Sequence, residues 1–443
     1  MIDSRTSPSR ARGGWSGWGL RGANSYRWTT WIAAVTCAAA PAYTVRWHLG
    51  PLPTTLLENL ILLTIAAFLV ETVVEGGTIV WRTPFTVPAL LFIVAGALDV
   101  VAAPDRRAAL GLYRAYLLEP IAFFIVLVSV VNTLRRAYAI LLGLAVAALG
   151  VGLPNAVVVL RAGLQHRLDL SGTPPVVIYQ TANAVALFLL PVIAVAAAVA
   201  AYGKGRVRSV AAAFLILSVP CFLLTLSRGG FLALGAVVLA LALTHRRRTW
   251  YLAAAVAAGA VFALLPPISK RLAYELNFND PHNTLVGRIP LWQATLQLLR
   301  DRPVFGAGLS GFETRIAPYW NATHIDRFIY PHNILLNFWV TTGILGVVAF
   351  GWLLLQGFRT SWGGWRTTDS PSPSGGGQGG GSWRPIDLGV FLALIGIVVH
   401  GLVDVPYFKN DLSLEFWVLL ALIYAGVRST GLRPTAMVSG LPK

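Results

Sequence analysis

An all-α, polytopic integral membrane helical bundle of about twelve transmembrane helices, with a partly helical extracytoplasmic loop, follows from three features of this sequence. Of its 443 residues, 56% are apolar and only 12% charged, whereas a soluble domain carries about 25% charged residues. The apolar residues gather into runs of about 20, each long enough to cross the hydrocarbon core of a bilayer. The basic residues behind a net charge of +17 sit mostly in the short junctions between those runs. That is the footprint of membrane topology, with membrane lipids and their anionic headgroups as partners. No basic, aromatic-interleaved module accompanies them, so nucleic acid is not an expected partner.

Residues 1–27 form a basic tail in which Arg5, Arg10, Arg12, Arg21 and Arg27 precede an apolar run. No small-residue cleavage site follows, so the segment is not a cleavable signal. Transmembrane helices 1–9 are expected within 28–266, over windows 28–46, 55–75, 84–103, 110–131, 137–160, 178–202, 208–226, 229–244 and 249–266. Transmembrane helix 10 is expected at 331–356, and helices 11 and 12 within 386–428, over 386–405 and 413–428. Arg82, Arg135, Arg136, Lys204, Arg206, Arg208 and Arg246–Arg248 all fall on alternate junctions. By the positive-inside rule those junctions, and both termini, are cytoplasmic. Asp105-Arg106-Arg107 is the junction that opposes this assignment. Residues 357–385, with Ser372-Pro373-Ser374-Gly375-Gly376-Gly377, form a cytoplasmic linker of low complexity, and 429–443 a cytoplasmic tail.

Residues 267–330 are the extracytoplasmic loop, mixing Trp, Tyr, Phe and Arg with helical periodicity. Pro290 can open a helix there, with Trp292, Leu296 and Leu299 on one face. Such a helix, of about eleven residues, is too short to span and belongs at the interface.

Chemistry concentrates around this loop. Arg228, in Ser227-Arg228-Gly229-Gly230, lies where two apolar runs meet with almost no loop. An arginine so placed either snorkels to headgroups or faces inward to bind an anion. Arg288, at the start of the interfacial helix, suits phosphate, because helix N-termini favour anions. His332, in Pro331-His332-Asn333 at the outer end of the tenth span, could take a proton from a hydroxyl. Gly306-Ala307-Gly308-Leu309-Ser310-Gly311 matches G-x-G-x-x-G, but no strand precedes it, so it is a turn or a phosphate-contacting nest, not a dinucleotide site. His400-Gly401-Leu402-Val403-Asp404 closes the eleventh span, and Asp404 could orient a basic group. Pro281-His282-Asn283 repeats the tripeptide without its continuation. Cys37 and Cys221 lie in apolar runs as small hydrophobes, and no spacing suits a metal site.

Three stretches resemble the O-antigen ligase and O-antigen polymerase superfamily of bacterial envelope glycosyltransferases. They are Ser227–Leu232, Arg288 through Gly308, and His332 through Gly346 with its pattern H-N-x9-G-x-x-G. The resemblance covers roughly residues 210–428. It implies a membrane-embedded, metal-independent inverting transferase of the GT-C kind, in the bacterial inner membrane, with no cofactor. The implied donor is a glycan on undecaprenyl diphosphate, and the acceptor is lipid A-core or another glycan or protein hydroxyl. On this chain Arg228 and Arg288 would grip the diphosphate and His332 would activate the acceptor, with Asn333, Gly306, Gly308 and Asp404 in support. A transporter of lipid-linked glycans is the reading from another class. It would call for internal repeats and mid-membrane ionisable residues, and no half-to-half repeat is visible.

Overall fold

The structure, a computed structural model, describes residues 26–50, 52–168, 174–280, 283–320, 329–366 and 382–429. The all-α expectation holds, apart from one antiparallel hairpin of β1 (Arg46–Leu49) and β2 (Leu52–Thr55). The first half of the chain forms α1 (Arg27–Ala38), α2 (Leu56–Glu75), α3 (Thr86–Ala102), α4 (Arg106–Tyr113), α5 (Glu119–Val130), α6 (Leu134–Leu164), α7 (Ala182–Tyr202) and α8 (Gly205–Leu223). The second half forms α9 (Arg228–Thr244), α10 (Arg248–Leu264), α11 (Pro266–Leu276), α12 (Thr284–Asp301), α13 (Phe312–Ile316), α14 (Ile334–Arg366), α15 (Arg384–Gly401) and α16 (Asn410–Ser429).

Every predicted window holds a helix, yet the helix lengths support fewer crossings than twelve. Among the described residues, eight helices are long and apolar enough to cross a membrane: α2, the continuous run from α4 through α5, α6, α7, α8, α14, α15 and α16. A ninth is added if α10 and Ile268–Leu276 of α11, bent by 90°, make one broken span. This is a multi-pass membrane protein. The remaining windows fall short for local reasons. α1 ends after 12 residues, where Pro41 follows and the chain tightens into a 3-10 turn over Ala40–Thr44. α3 and α9 have 17 residues each, and at 1.5 Å per residue such a helix reaches about 25 Å, under a core of about 30 Å.

The centre of the bundle is built from α5, α7, α15 and α16, which are apolar on nearly every face and buried along most of their length. α10 is the opposite case and buries none of its residues. α14 is two helices end to end. Thr342 and Gly343 leave the helical region, Gly343 with φ +62°. The turn from Arg302 to Gly311 docks into that break backbone to backbone: Ala307 N–H donates to the Val340 carbonyl at 2.7 Å, and Ile344 N–H to the Val304 carbonyl at 3.0 Å. A Cβ on Gly343 would collide with the Val304 carbonyl oxygen. The first glycine of the H-N-x9-G-x-x-G pattern is thus where α14 breaks to receive a loop.

Two boundaries differ from expectation. α12 starts at Thr284, capped by the Asn283 side chain, which accepts the Leu285 and Val286 N–H groups at 3.0 Å each. Pro290 therefore lies inside an 18-residue helix instead of opening one. Its inward face is Leu291, Ala294, Thr295, Leu298 and Leu299, and Leu296 is exposed. The expected Trp292–Leu296–Leu299 face is rotated because the helix packs by the 291/294/298 row. α14 runs on to Arg366, so residues 357–366 are helix and not linker. Residues 367–381 of the linker, most of both tails (1–25 and 430–443), and Pro281 and His282 lie outside the described residues.

Candidate active site

The helix termini that carry the predicted residues meet around one buried carboxylate. Asp404 follows α15 and is held by its own N–H, which donates to the His400 carbonyl at 3.0 Å. Its Oδ1 accepts the Val405 N–H at 2.9 Å and the Tyr330 hydroxyl at 3.4 Å, and its Oδ2 accepts Asn183 Nδ2 at 3.0 Å. His332 Nδ1 lies 3.4 Å from Asp404 Oδ1, at the long limit of hydrogen bonding. The Asp404 side chain is 2% exposed and that of His332 15%. Burial by itself would push the Asp404 carboxyl up, but it is outweighed by His332, His400 and Arg288 around it. The group is held well below the usual carboxylate range. Burial, and then the Asp404 charge, push the neighbouring Tyr330 phenol up, so it stays a donor.

His332 owes its position to a strained piece of backbone. It sits at φ +47°, the left-handed region, which costs a non-glycine residue of order 1 kcal/mol or more. Two contacts hold it there. Trp292 Nε1 of α12 donates to the Pro331 carbonyl at 2.8 Å. Asn333 caps α14, its Oδ1 accepting the Leu336 N–H at 3.1 Å, while its Nδ2 donates to the Leu402 carbonyl at 3.0 Å. Asn333 is engaged at both ends, as a cap and as a tie to the α15 terminus. The Tyr330 ring lies 4.3 Å from the imidazole, centroid to centroid.

The two arginines differ. Arg228 is the first residue of α9, whose cap Ser227 accepts the Gly230 N–H at 3.1 Å. Its guanidinium is already ion-paired to Glu275 of α11. Glu275 also accepts the Thr284 N–H and hydroxyl at the start of α12, at 3.1 and 2.7 Å. Arg271, buried one turn earlier in α11, donates to the Leu226 carbonyl at 3.0 Å. Arg288 lies one turn inside α12 instead of at its N-terminus. The anion-favouring N–H groups expected beside it are therefore used within the helix. Burial lowers the Arg288 guanidinium from its ordinary value; Asp404, Glu275 and the Tyr330 phenol oppose this, and Arg228 adds to it. Among the described residues no hydrogen bond or ion pair engages Arg288. It is the cation of this group with bonding capacity in reserve.

Gly306 and Gly308 are placed elsewhere. Their φ values are +56° and +73°, and their N–H groups donate to the Arg302 and Phe305 carbonyls at 2.9 and 3.1 Å. A Cβ at Gly306 would lie 2.5 Å from the Trp339 carbonyl oxygen, and one at Gly308 would lie 3.1 Å from Ala103 Cα. These glycines pack a turn against α14 and α3, and their amides are occupied. Sequence reasoning missed Asn183, Tyr330 and Glu275. Asn183 alone left a signal, as an amide within an apolar window.

The arrangement thus sets the His332 imidazole against the Asp404 carboxylate, with the Arg288 guanidinium acting on that carboxylate and with Arg228, paired to Glu275, next to Arg288. It can activate a hydroxyl and bind an anionic leaving group. Comparison with curated proteins finds no match to the chain. Residues 212–351 match the O-antigen ligase family, a span that takes in Arg228, Glu275, Arg288, His332 and the break at Gly343, and stops short of Asp404. Over residues 212–351 the chain is similar to the O-antigen ligase family.

Proposed function

We propose that this protein transfers a glycan from undecaprenyl diphosphate to an acceptor hydroxyl at the outer face of the bacterial inner membrane. The observation that carries the reading is His332 Nδ1 at 3.4 Å from the buried Asp404 carboxylate, with Arg288 facing the same group. With Nδ1 turned to Asp404, Nε2 takes the proton of the acceptor hydroxyl. The freed oxygen attacks the anomeric carbon from the side opposite the diphosphate, inverting it. The bond from that carbon to the diphosphate oxygen breaks, and its electron pair leaves on undecaprenyl diphosphate. Arg288, with Arg228 in a lesser part because Glu275 already pairs it, stabilises that departing charge. A positioned base contributes typically about 10²–10⁴-fold in rate. The apolar bundle provides a surface for the polyprenyl tail.

The test is a reconstituted transfer assay with an undecaprenyl-diphosphate glycan and three acceptor classes: lipid A-core, a glycan, and a protein bearing hydroxyls. The expected result is release of undecaprenyl diphosphate that requires both an acceptor and His332, and falls at least about 10²-fold in His332→Ala. The productive acceptor distinguishes a ligase from a polymerase or a protein glycosyltransferase. Movement of the intact lipid-linked glycan across a vesicle bilayer, without turnover on any acceptor, would overturn the reading in favour of a transporter.

A further inference from the structure

Asn183 lies in the first turn of α7, far from the segment that carries His332 and both arginines, yet its side chain touches both ends of the group. Its Oδ1 accepts the Ser227 hydroxyl at 2.8 Å, and its Nδ2 donates to Asp404 Oδ2 at 3.0 Å. The amide has one workable orientation. Ser227 Oγ already accepts the Gly230 N–H at 3.1 Å, so its own hydrogen points to Asn183 Oδ1. The reversed amide would set a carbonyl oxygen against an ionised carboxylate. A continuous chain of donors therefore runs from the first turn of α9, through Ser227 and Asn183, to Asp404, and Asp404 faces His332. Ser227 is 3% exposed and Asp404 1%, so both ends of this chain of bonds are shielded from water.

We infer that Asn183 is a positioning residue that holds the α9 terminus bearing Arg228 and the Asp404–His332 pair at a fixed separation. The inference rests on the transferase reading above. Transfer needs leaving group and nucleophile in register at the same time, and a misplacement of about 1 Å can cost about 10²-fold in rate. Asp404 Oδ1 is fixed by Val405 and Tyr330, but on the Oδ2 side the contact from Asn183 sets the rotation of the carboxylate. Without it, the imidazole loses a defined partner even though every group that touches substrate is still present.

The experiment compares wild type, Asn183→Ala, Asn183→Asp, Ser227→Ala and the double variant Asn183→Ala/Ser227→Ala in the transfer assay. Binding of undecaprenyl diphosphate is measured alongside. Asn183→Asp keeps the size and the acceptor for Ser227, but replaces the donor facing Asp404 with a like charge. The expected result is a loss in kcat of about tenfold to a hundredfold for both Asn183 variants, with binding of undecaprenyl diphosphate within about threefold of wild type. The double variant should lose no more than about the larger single loss, because both substitutions break one chain. Wild-type turnover in Asn183→Asp, or losses at 183 and 227 that multiply, would overturn the inference. Should Asn183→Ala fail to fold, Asn183→Asp carries the same decision. An inactive wild type would count against the transferase reading itself, whereas an active wild type with indifferent Asn183 variants would count against this inference alone.

Discussion

Asp404 keeps its charge in a buried site because His332, His400 and Arg288 surround it, and that sets a pH window. Its folded value lies below the ordinary carboxylate value of about 3.9. The stability it contributes is therefore fully present above that ordinary value, and is lost as pH falls toward the folded one. The difference in Tm between wild type and Asp404→Asn should stay level from about pH 5 to 8 and narrow below about pH 4. A difference that fails to narrow below about pH 4 would show that the Asp404 carboxyl is not held below its ordinary value. The arginines make a second case. Arg228 is matched by Glu275, and Arg288 has no such partner among the described residues, so the diphosphate should lean more on Arg288. We expect Arg288→Lys to lower kcat/KM by about tenfold or more, close to 1.4 kcal/mol, because one ammonium cannot replace a planar fork. Arg228→Lys should cost less, and the reverse order would reassign the main diphosphate contact. His332, Arg288 and Asp404 were legible as ionisable residues where apolar runs end. Asn183 showed only as an amide within an apolar window, since its meaning depends on a partner 221 positions away.

The elements work through their ends. Thr181, Ser227, Asn283 and Asn333 cap α7, α9, α12 and α14 with side-chain oxygens, and a cap of this kind is worth about 1 kcal/mol. The N-terminal ends of α7, α9 and α14 bring Asn183, Ser227 and His332 into the chain of contacts around Asp404. The break in α14 is the second device. Gly343 takes φ +62° and lets the Val304 carbonyl approach, whereas a Cβ on Gly351, farther along the same helix, would meet nothing within 4 Å. Gly343→Ala should therefore destabilise by about 2 kcal/mol or more, while Gly351→Ala should be neutral or stabilising by up to about 1 kcal/mol. Thermal unfolding of the two purified variants checks the contrast, and equal Tm values would remove the docking role of the break. The glycine spacing in the sequence marked this place. Its use could not be read there, because the turn that fills the break, after the end of α12, meets α14 only through tertiary packing.

For the whole molecule the open quantity is how many helices cross. Among the described residues eight are long and apolar enough to do so, the bent α10–α11 pair makes a ninth if it is one span, and α1, α3 and α9 are short. Short helices can cross where the bilayer thins or flanking residues snorkel, and the basic junctions at Arg82, Arg135, Arg136 and Arg246–Arg248 place both termini in the cytoplasm only if the total is even. A fluorescent-protein fusion at the C-terminus should therefore light up, and a phosphatase fusion there should stay inactive. An active phosphatase would mean an odd number of crossings. The amino-acid sequence by itself determined the helical class, the membrane environment, the family resemblance and the residue types at the site. All of these follow from local composition and short spacings, to which hydrophobic burial and helix periodicity respond directly. Only the tertiary structure decided that Arg228 is paired, that Arg288 lies inside its helix, that Gly306 and Gly308 pack a turn, and that Asn183 bridges the group. Each of those outcomes depends on which helix ends meet, and that is set by packing across the bundle between residues whose separation in the chain carries no signal.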